Sequence, residues 1–196
     1  MPGRLTSQLG ERTATAASPM LRVWDPFVRV FHWSAVALFA AAFLSPDQKS
    51  IHEPIGYVLL ALVVARILWG VVGSRHARFT SFVSSPATVL AYLRDLRYGR
   101  AERHLGHNPA GGAMIVLLLG MLVVCAGSGW MSETDRWFGV PWVSHLHHIS
   151  AKLLLVLIGL HVTGVIASSL LHRENLVRAM VTGRKAAELP AESPPV

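Results

Sequence analysis

Four long apolar stretches alternate with shorter polar ones along this chain. They run from about residue 26 to 45, 52 to 72, 109 to 131 and 144 to 172. Each approaches or exceeds the roughly 20 apolar residues that one helix needs to cross a bilayer. Two of them open on helix-start signals: Asp25-Pro26 and Asn108-Pro109 each set a capping side chain before a proline at the first helical position. The pattern predicts an all-α integral membrane four-helix bundle. Between the second and third spans, residues 86–98 carry Val89, Leu90, Leu93 and Leu96 at helical spacing among arginines, which predicts a short helix on the bilayer surface. Residues 1–20 are small and polar, lack the apolar core of a secretory signal, and are expected to form a disordered tail. Residues 21–183 form the four-span domain, and residues 184–196 are expected to be a second tail.

Composition agrees and adds an orientation. The chain is 52% hydrophobic and 15% charged, with a mean hydropathy of +0.44, whereas soluble domains carry about 25% charged residues. A net charge of +7 and a pI near 10.5 would suggest nucleic acid in a soluble protein. Here the charges are placed otherwise. Fourteen Lys and Arg residues fall before or at the start of the first span, in the second connector and after the fourth span. Only Lys49 and Arg136 fall in the other two connectors. Under the positive-inside rule both termini are cytoplasmic, and the basic collar faces membrane lipid, with no nucleic-acid partner expected. The single cysteine, Cys125, leaves no CxxC or CxxCH motif, which argues against covalent c-type haem and cysteine-held iron–sulfur clusters. In its apolar run it reads as a small buried hydrophobe.

The candidate chemistry lies in histidines within these spans, where an ionisable group is a functional-site hypothesis by default. His147 and His161 are 14 residues apart, about four helical turns and about 21 Å along one face. His32 lies near the start of the first span and His52 at the start of the second, on opposite sides of the membrane. The predicted topology sorts the four into two levels: His32 with His161 toward the cytoplasm, and His52 with His147 toward the outside. Facing imidazoles from different helices are how a bundle holds a b-type haem. A lone intramembrane histidine often only bonds a neighbouring helix, but four at matched depths favour two haems. A structural zinc wants four ligands, more than either level offers. His145 and His148 compete with His147 but fall on other faces relative to His161. His76, His104, His107 and His172, in connectors or near a helix end, read as solvated or interfacial. Candidate partners for haem propionates are Arg29 and Arg66 on the cytoplasmic side, and Lys152 and His145 on the outer side. Anchoring at the lipid interface is the alternative for the arginines. A haem with two axial histidines has no open coordination position, so it exchanges electrons rather than binding oxygen.

Several segments together resemble the bacterial cytochrome b561 family, which shares its four-helix domain with the cytochrome b subunit of nickel–iron hydrogenases. They are Trp24-Asp-Pro-Phe-Val-Arg-Val-Phe-His32-Trp33, His52-Glu-Pro-Ile-Gly-Tyr, Arg66-Ile-Leu-Trp-Gly70, Gly106-His-Asn-Pro-Ala-Gly-Gly112, and His147 with Ala151 and His161. The resemblance implies two b haems, held by His32 with His161 and by His52 with His147, in a bacterial inner membrane. It implies an electron carrier between the quinone pool and a periplasmic c-type cytochrome, dehydrogenase or hydrogenase. Hydrogenase members often have a longer first connector, so the short one here favours a stand-alone cytochrome or another partner. Some relatives oxidise superoxide and reduce quinone directly, and that is the alternative within the redox class. A rival from another class is a non-redox metal transporter or assembly subunit. The near absence of acidic and amide residues at mid-depth weighs against it.

Overall fold

The computed structural model describes residues 20–75, 77–102, 104 and 106–186. The expected tail at residues 1–19, and residues 187–196, lie outside them. In chain order the elements are β1 (Met20–Arg22), α1 (Pro26–Leu44), α2 (Lys49–Val72), α3 (Pro86–Arg97), α4 (Pro109–Ser132), α5 (Pro141–Leu171), α6 (Leu176–Thr182) and β2 (Arg184–Ala186). α1, α2, α4 and α5 are long and apolar enough to cross a membrane. The predicted caps form: Asp25 Oδ1 accepts the Phe27 N–H at 2.8 Å, and Asn108 Oδ1 accepts the Gly111 N–H at 2.6 Å.

Two helices begin earlier than the sequence pattern predicts. α2 starts at Lys49, whose ammonium reaches Glu53 one turn on at 3.3 Å and Glu133 beyond the end of α4 at 3.2 Å. Those pairings favour one more turn on a polar stretch. α5 starts at Pro141 in the first turn and runs for 31 residues, about 46 Å. That exceeds a hydrocarbon core of about 30 Å.

Side-by-side packing follows the order α1–α2–α4–α5, and α5 packs closely on neither α1 nor α2. α1 accordingly buries no residue. The most buried side chains, Val63, Val143, Ser150 and Leu154, come from α2 and α5. Large apolar side chains such as Leu44 and Leu170 face outward, 81% and 75% exposed. This reverses a soluble bundle and suits helices surrounded by lipid.

The end of the bundle where α1 begins and α5 ends is closed by short elements. β1 and β2 pair antiparallel, with Met20 opposite Ala186 and Arg22 opposite Arg184. Lys185 is buried, 3.4 Å from Glu174 and over the Trp24 ring. Thus residues 184–186, which the sequence left in a tail, form part of a clasp. Gly183 ends α6 in the left-handed region at φ 79°, a conformation glycine adopts without strain. α3, capped by Ser85, buries Tyr92 and lies against α4. Gly112 lets the Phe82 backbone rest on α4, because a Cβ there would strike the Phe82 carbonyl oxygen. His107 is half-buried against Trp24 and Phe82, with ring centres 4.6 and 4.8 Å away. The turn before α4 thus folds inward onto aromatic rings, so of the two expectations for His107, solvated or interfacial, it is not the fully solvated one.

Candidate functional site

The four intramembrane histidines meet as two pairs. At the end near β1 and β2, called the near end, His32 of α1 faces His161 of α5, with ring centres 6.4 Å apart and planes inclined at 56°. At the far end, His52 of α2 faces His147 of α5, at 5.9 Å and 82°. Two imidazoles bound to opposite sides of one metal, with metal–nitrogen bonds of about 2.0 Å, place their ring centres about 6 Å apart. Both pairs have that span. Each also bridges two helices that do not pack closely on each other, α1 with α5 and α2 with α5. The helices stand apart where a flat group would need the room.

The far pair is oriented by backbone. His52 Nδ1 lies 3.0 Å from the Ala42 carbonyl oxygen, and His147 Nδ1 lies 2.8 Å from that of Cys125. A carbonyl only accepts, so both Nδ1 atoms carry the proton and both Nε2 atoms keep a lone pair for a metal. The pair lines a cavity of about 530 Å³, within the usual range for cofactor sites. Ala42, Gly56, Gly129 and Ala151 contribute small walls, and Lys49, Glu53, Glu133, Ser144, His148 and Lys152 stand on its polar side. At Gly56 a Cβ would meet nothing within 4 Å, whereas at Gly129 it would lie 3.0 Å from the His147 ring. Residues 125 and 129 are one turn apart on α4, so the helix that carries none of the four histidines sets the position of one.

The near pair is held differently. His32 Nδ1 is buried without a hydrogen-bond partner, and the ring packs edge-on against Trp33 at 5.0 Å. Among the described residues no group of three or more His, Cys, Asp or Glu side chains converges on a metal position. Each level therefore offers two imidazoles, the donor set of a haem iron whose other four ligands come from the porphyrin.

The remaining sequence candidates separate. Lys152 lines the far cavity, but His145 is exposed and absent from its wall. His148, set aside on sequence grounds, lines it instead: with Ser144, His147, Ala151 and Lys152 it shares one helical stripe, which the spacing shows once His147 is taken as the centre. Arg29 spends two donors on the last carbonyls of α6, Nε on Met180 at 3.3 Å and Nη2 on Val181. Arg66 is 3% exposed. Its Nη2 donates to the Ala77 carbonyl at 3.3 Å, its guanidinium lies over the Phe79 ring, and its Nη1 has no partner.

Comparison with known proteins identifies relatives of this chain. Three relatives are each described as a probable Ni/Fe-hydrogenase B-type cytochrome subunit. The protein from Cupriavidus necator is 26% identical, over 82% of this chain and 85% of its own length. That from Bradyrhizobium diazoefficiens is 23% identical, over 90% and 89%. That from Azotobacter vinelandii is 28% identical, over 67% and 65%. No solved structure matches. A family profile described as prokaryotic cytochrome b561 matches residues 23–183, a stretch that holds all four membrane helices and both histidine pairs, so the chain belongs to the prokaryotic cytochrome b561 family of electron-transferring membrane cytochromes.

Proposed function

We propose that this chain is a di-haem b-type cytochrome that carries electrons across a bacterial inner membrane, between a periplasmic partner and the quinone pool. One observation carries the reading: two imidazole pairs, each spanning about one metal and each set between helices that stand apart. His32 and His161 would hold one haem, and His52 and His147 the other. Their ligand levels are about 21 Å apart. Bound there, the haems supply reversible one-electron chemistry without an open coordination position. The chain's own residues do the rest. The Ala42 and Cys125 carbonyls fix the ligating tautomer at the far level, the small residues of the cavity leave space for a planar ring, and Lys152, His148 and Ser144 offer donors for propionates.

The distribution of Lys and Arg favours termini on the cytoplasmic side, so the far level is periplasmic. The names of the relatives favour a hydrogenase as the partner there. The superoxide reading draws less support. Glu53 and Glu133 stand on the same rim as Lys49 and Lys152 and pair with Lys49, which weakens any pull on an anion.

Anaerobic addition of a ubiquinol or menaquinol analogue to the oxidised, purified protein tests the quinone link. The reduced b-type α-band should develop with quinol and fade with excess quinone. A haem-loaded protein that responds to neither is not quinone-linked.

A further inference from the structure

The outer face of α1 carries a groove that neither histidine pair uses. Pro26, Arg29, Val30, Trp33 and Ser34 line it from α1, at the spacing of one helical face, and Val181 closes it from α6. Its volume is about 380 Å³. α1 has 19 residues, about 28 Å of helix, which only just crosses a hydrocarbon core of about 30 Å. Its first turns therefore lie where hydrocarbon gives way to lipid headgroups. The groove stands at that boundary, with Pro26, Val30 and Trp33 exposed.

Arg29 gives the groove its charge. Its Nε and Nη2 donate to the Met180 and Val181 carbonyls at the end of α6. Those bonds fix the guanidinium in place but leave its charge unneutralised. Among the described residues no carboxylate pairs with it, and its Nη1 donors have no acceptor. No acidic side chain lines the groove. Arg178, three residues before Val181, and Arg184, just past Gly183, are exposed and add positive charge around α6. A guanidinium presents a planar fork of N–H groups that matches phosphate oxygens. Beside it, Trp33 offers an indole N–H on an apolar ring, which suits a headgroup boundary. Val30 and Trp33 continue the wall toward the hydrocarbon.

We propose that this groove binds an anionic phospholipid, with its phosphate on Arg29 and an acyl chain along Val30 and Trp33. A zwitterionic headgroup brings an ammonium for which the groove has no carboxylate, so a lipid of net negative charge is favoured. The lipid joins α1 to α6 from outside and so braces the clasp of β1, β2 and α6. It also lies against Trp33, whose ring packs edge-on against His32. The proposal needs no haem and stands apart from the function proposed above.

Native mass spectrometry and thermal unfolding of the full-length protein test it, in nanodiscs of phosphatidylcholine with or without phosphatidylglycerol. Phosphatidylglycerol should be retained about tenfold over phosphatidylcholine, the scale of one charge-assisted contact, and should raise the unfolding midpoint. Val181→Glu sets a carboxylate beside Arg29 and keeps the backbone carbonyl that Arg29 uses; it should abolish both effects. Val177→Glu makes the same charge change one turn earlier on α6, at an equally exposed position outside the groove, and should preserve them. Pro26→Glu, in an exposed first turn where a carboxylate suits the helix, replaces Val181→Glu if that variant does not fold. Equal retention of the two lipids by the wild type overturns the proposal, and so does an equal response of the groove variant and Val177→Glu. Inorganic phosphate that reproduces the thermal shift in neutral detergent makes the occupant a free anion and overturns it too.

Discussion

The two ends of this bundle solve the same problem with different materials. At the far end the facing imidazoles are held by backbone: carbonyls of α1 and α4 fix both Nδ1 atoms, and Gly129 leaves only enough room for the His147 ring. At the near end the facing imidazoles have no such bonds, and the surroundings are closed instead by a clasp of β1, β2 and α6 with buried charges, Arg66 and Lys185. A carbonyl inside a transmembrane helix cannot be mutated away, so the far site is robust to side-chain change except where space is tight. The near site depends on side chains and on the pairing of β1 with β2.

That contrast can be broken at several strengths. The largest effect is expected from the ligands. His147→Ala and His161→Ala should each leave one haem per chain by pyridine haemochromogen assay, at opposite ends; unchanged content in both would refute the pairing. Next is Gly129→Ala, whose new methyl group presses on the His147 ring. Far-level haem occupancy should fall, while Gly120→Ala, which meets nothing within 4 Å, keeps both haems. Equal behaviour of the two variants would remove Gly129 from the positioning of His147. Arg29→Ala should free the end of α6 and lower stability by about 1.5 kcal/mol, the low end for hydrogen bonds from a charged donor. Calorimetry, together with faster proteolysis near Gly183, would register it.

The smallest effect concerns Asp25. Burial works to raise its pKa, but hydrogen bonds from the Ser74 side chain and the Val28 and Phe27 N–H groups outweigh that and hold it below the usual carboxylate value. The folded pKa being depressed, its contribution is complete above the unfolded value and is lost as pH falls through the folded one. Asp25→Ala should cost about 1 kcal/mol near neutral pH, as cap removals do. The gap from wild type should narrow below about pH 4, the unperturbed range for aspartate. A pH-independent gap in thermal unfolding would show that the carboxylate charge contributes nothing.

The spans and both histidine pairs were legible because helical spacing converts residue numbers directly into depth and face. His52 with His147, and His32 with His161, follow from that conversion plus an alternating topology. Proline after Asp25 and Asn108 gave two helix starts for the same reason: capping is local chemistry. What stayed hidden depends on partners far apart in sequence. Strands of three residues carry no period, so Met20–Arg22 gave no sign of pairing with Arg184–Ala186. Arg29 reads equally well as a propionate or lipid contact until α6 returns beneath it. The carbonyls of Ala42 and Cys125 are invisible in any sequence, because every residue has one.

The central claim is tested most directly by counting haem on the purified protein and recording its reduced-minus-oxidised spectrum. Two non-covalent b haems per chain with low-spin, bis-histidine bands are the expected result. A chain that binds no haem, or that binds haem with a vacant axial position, would contradict the account.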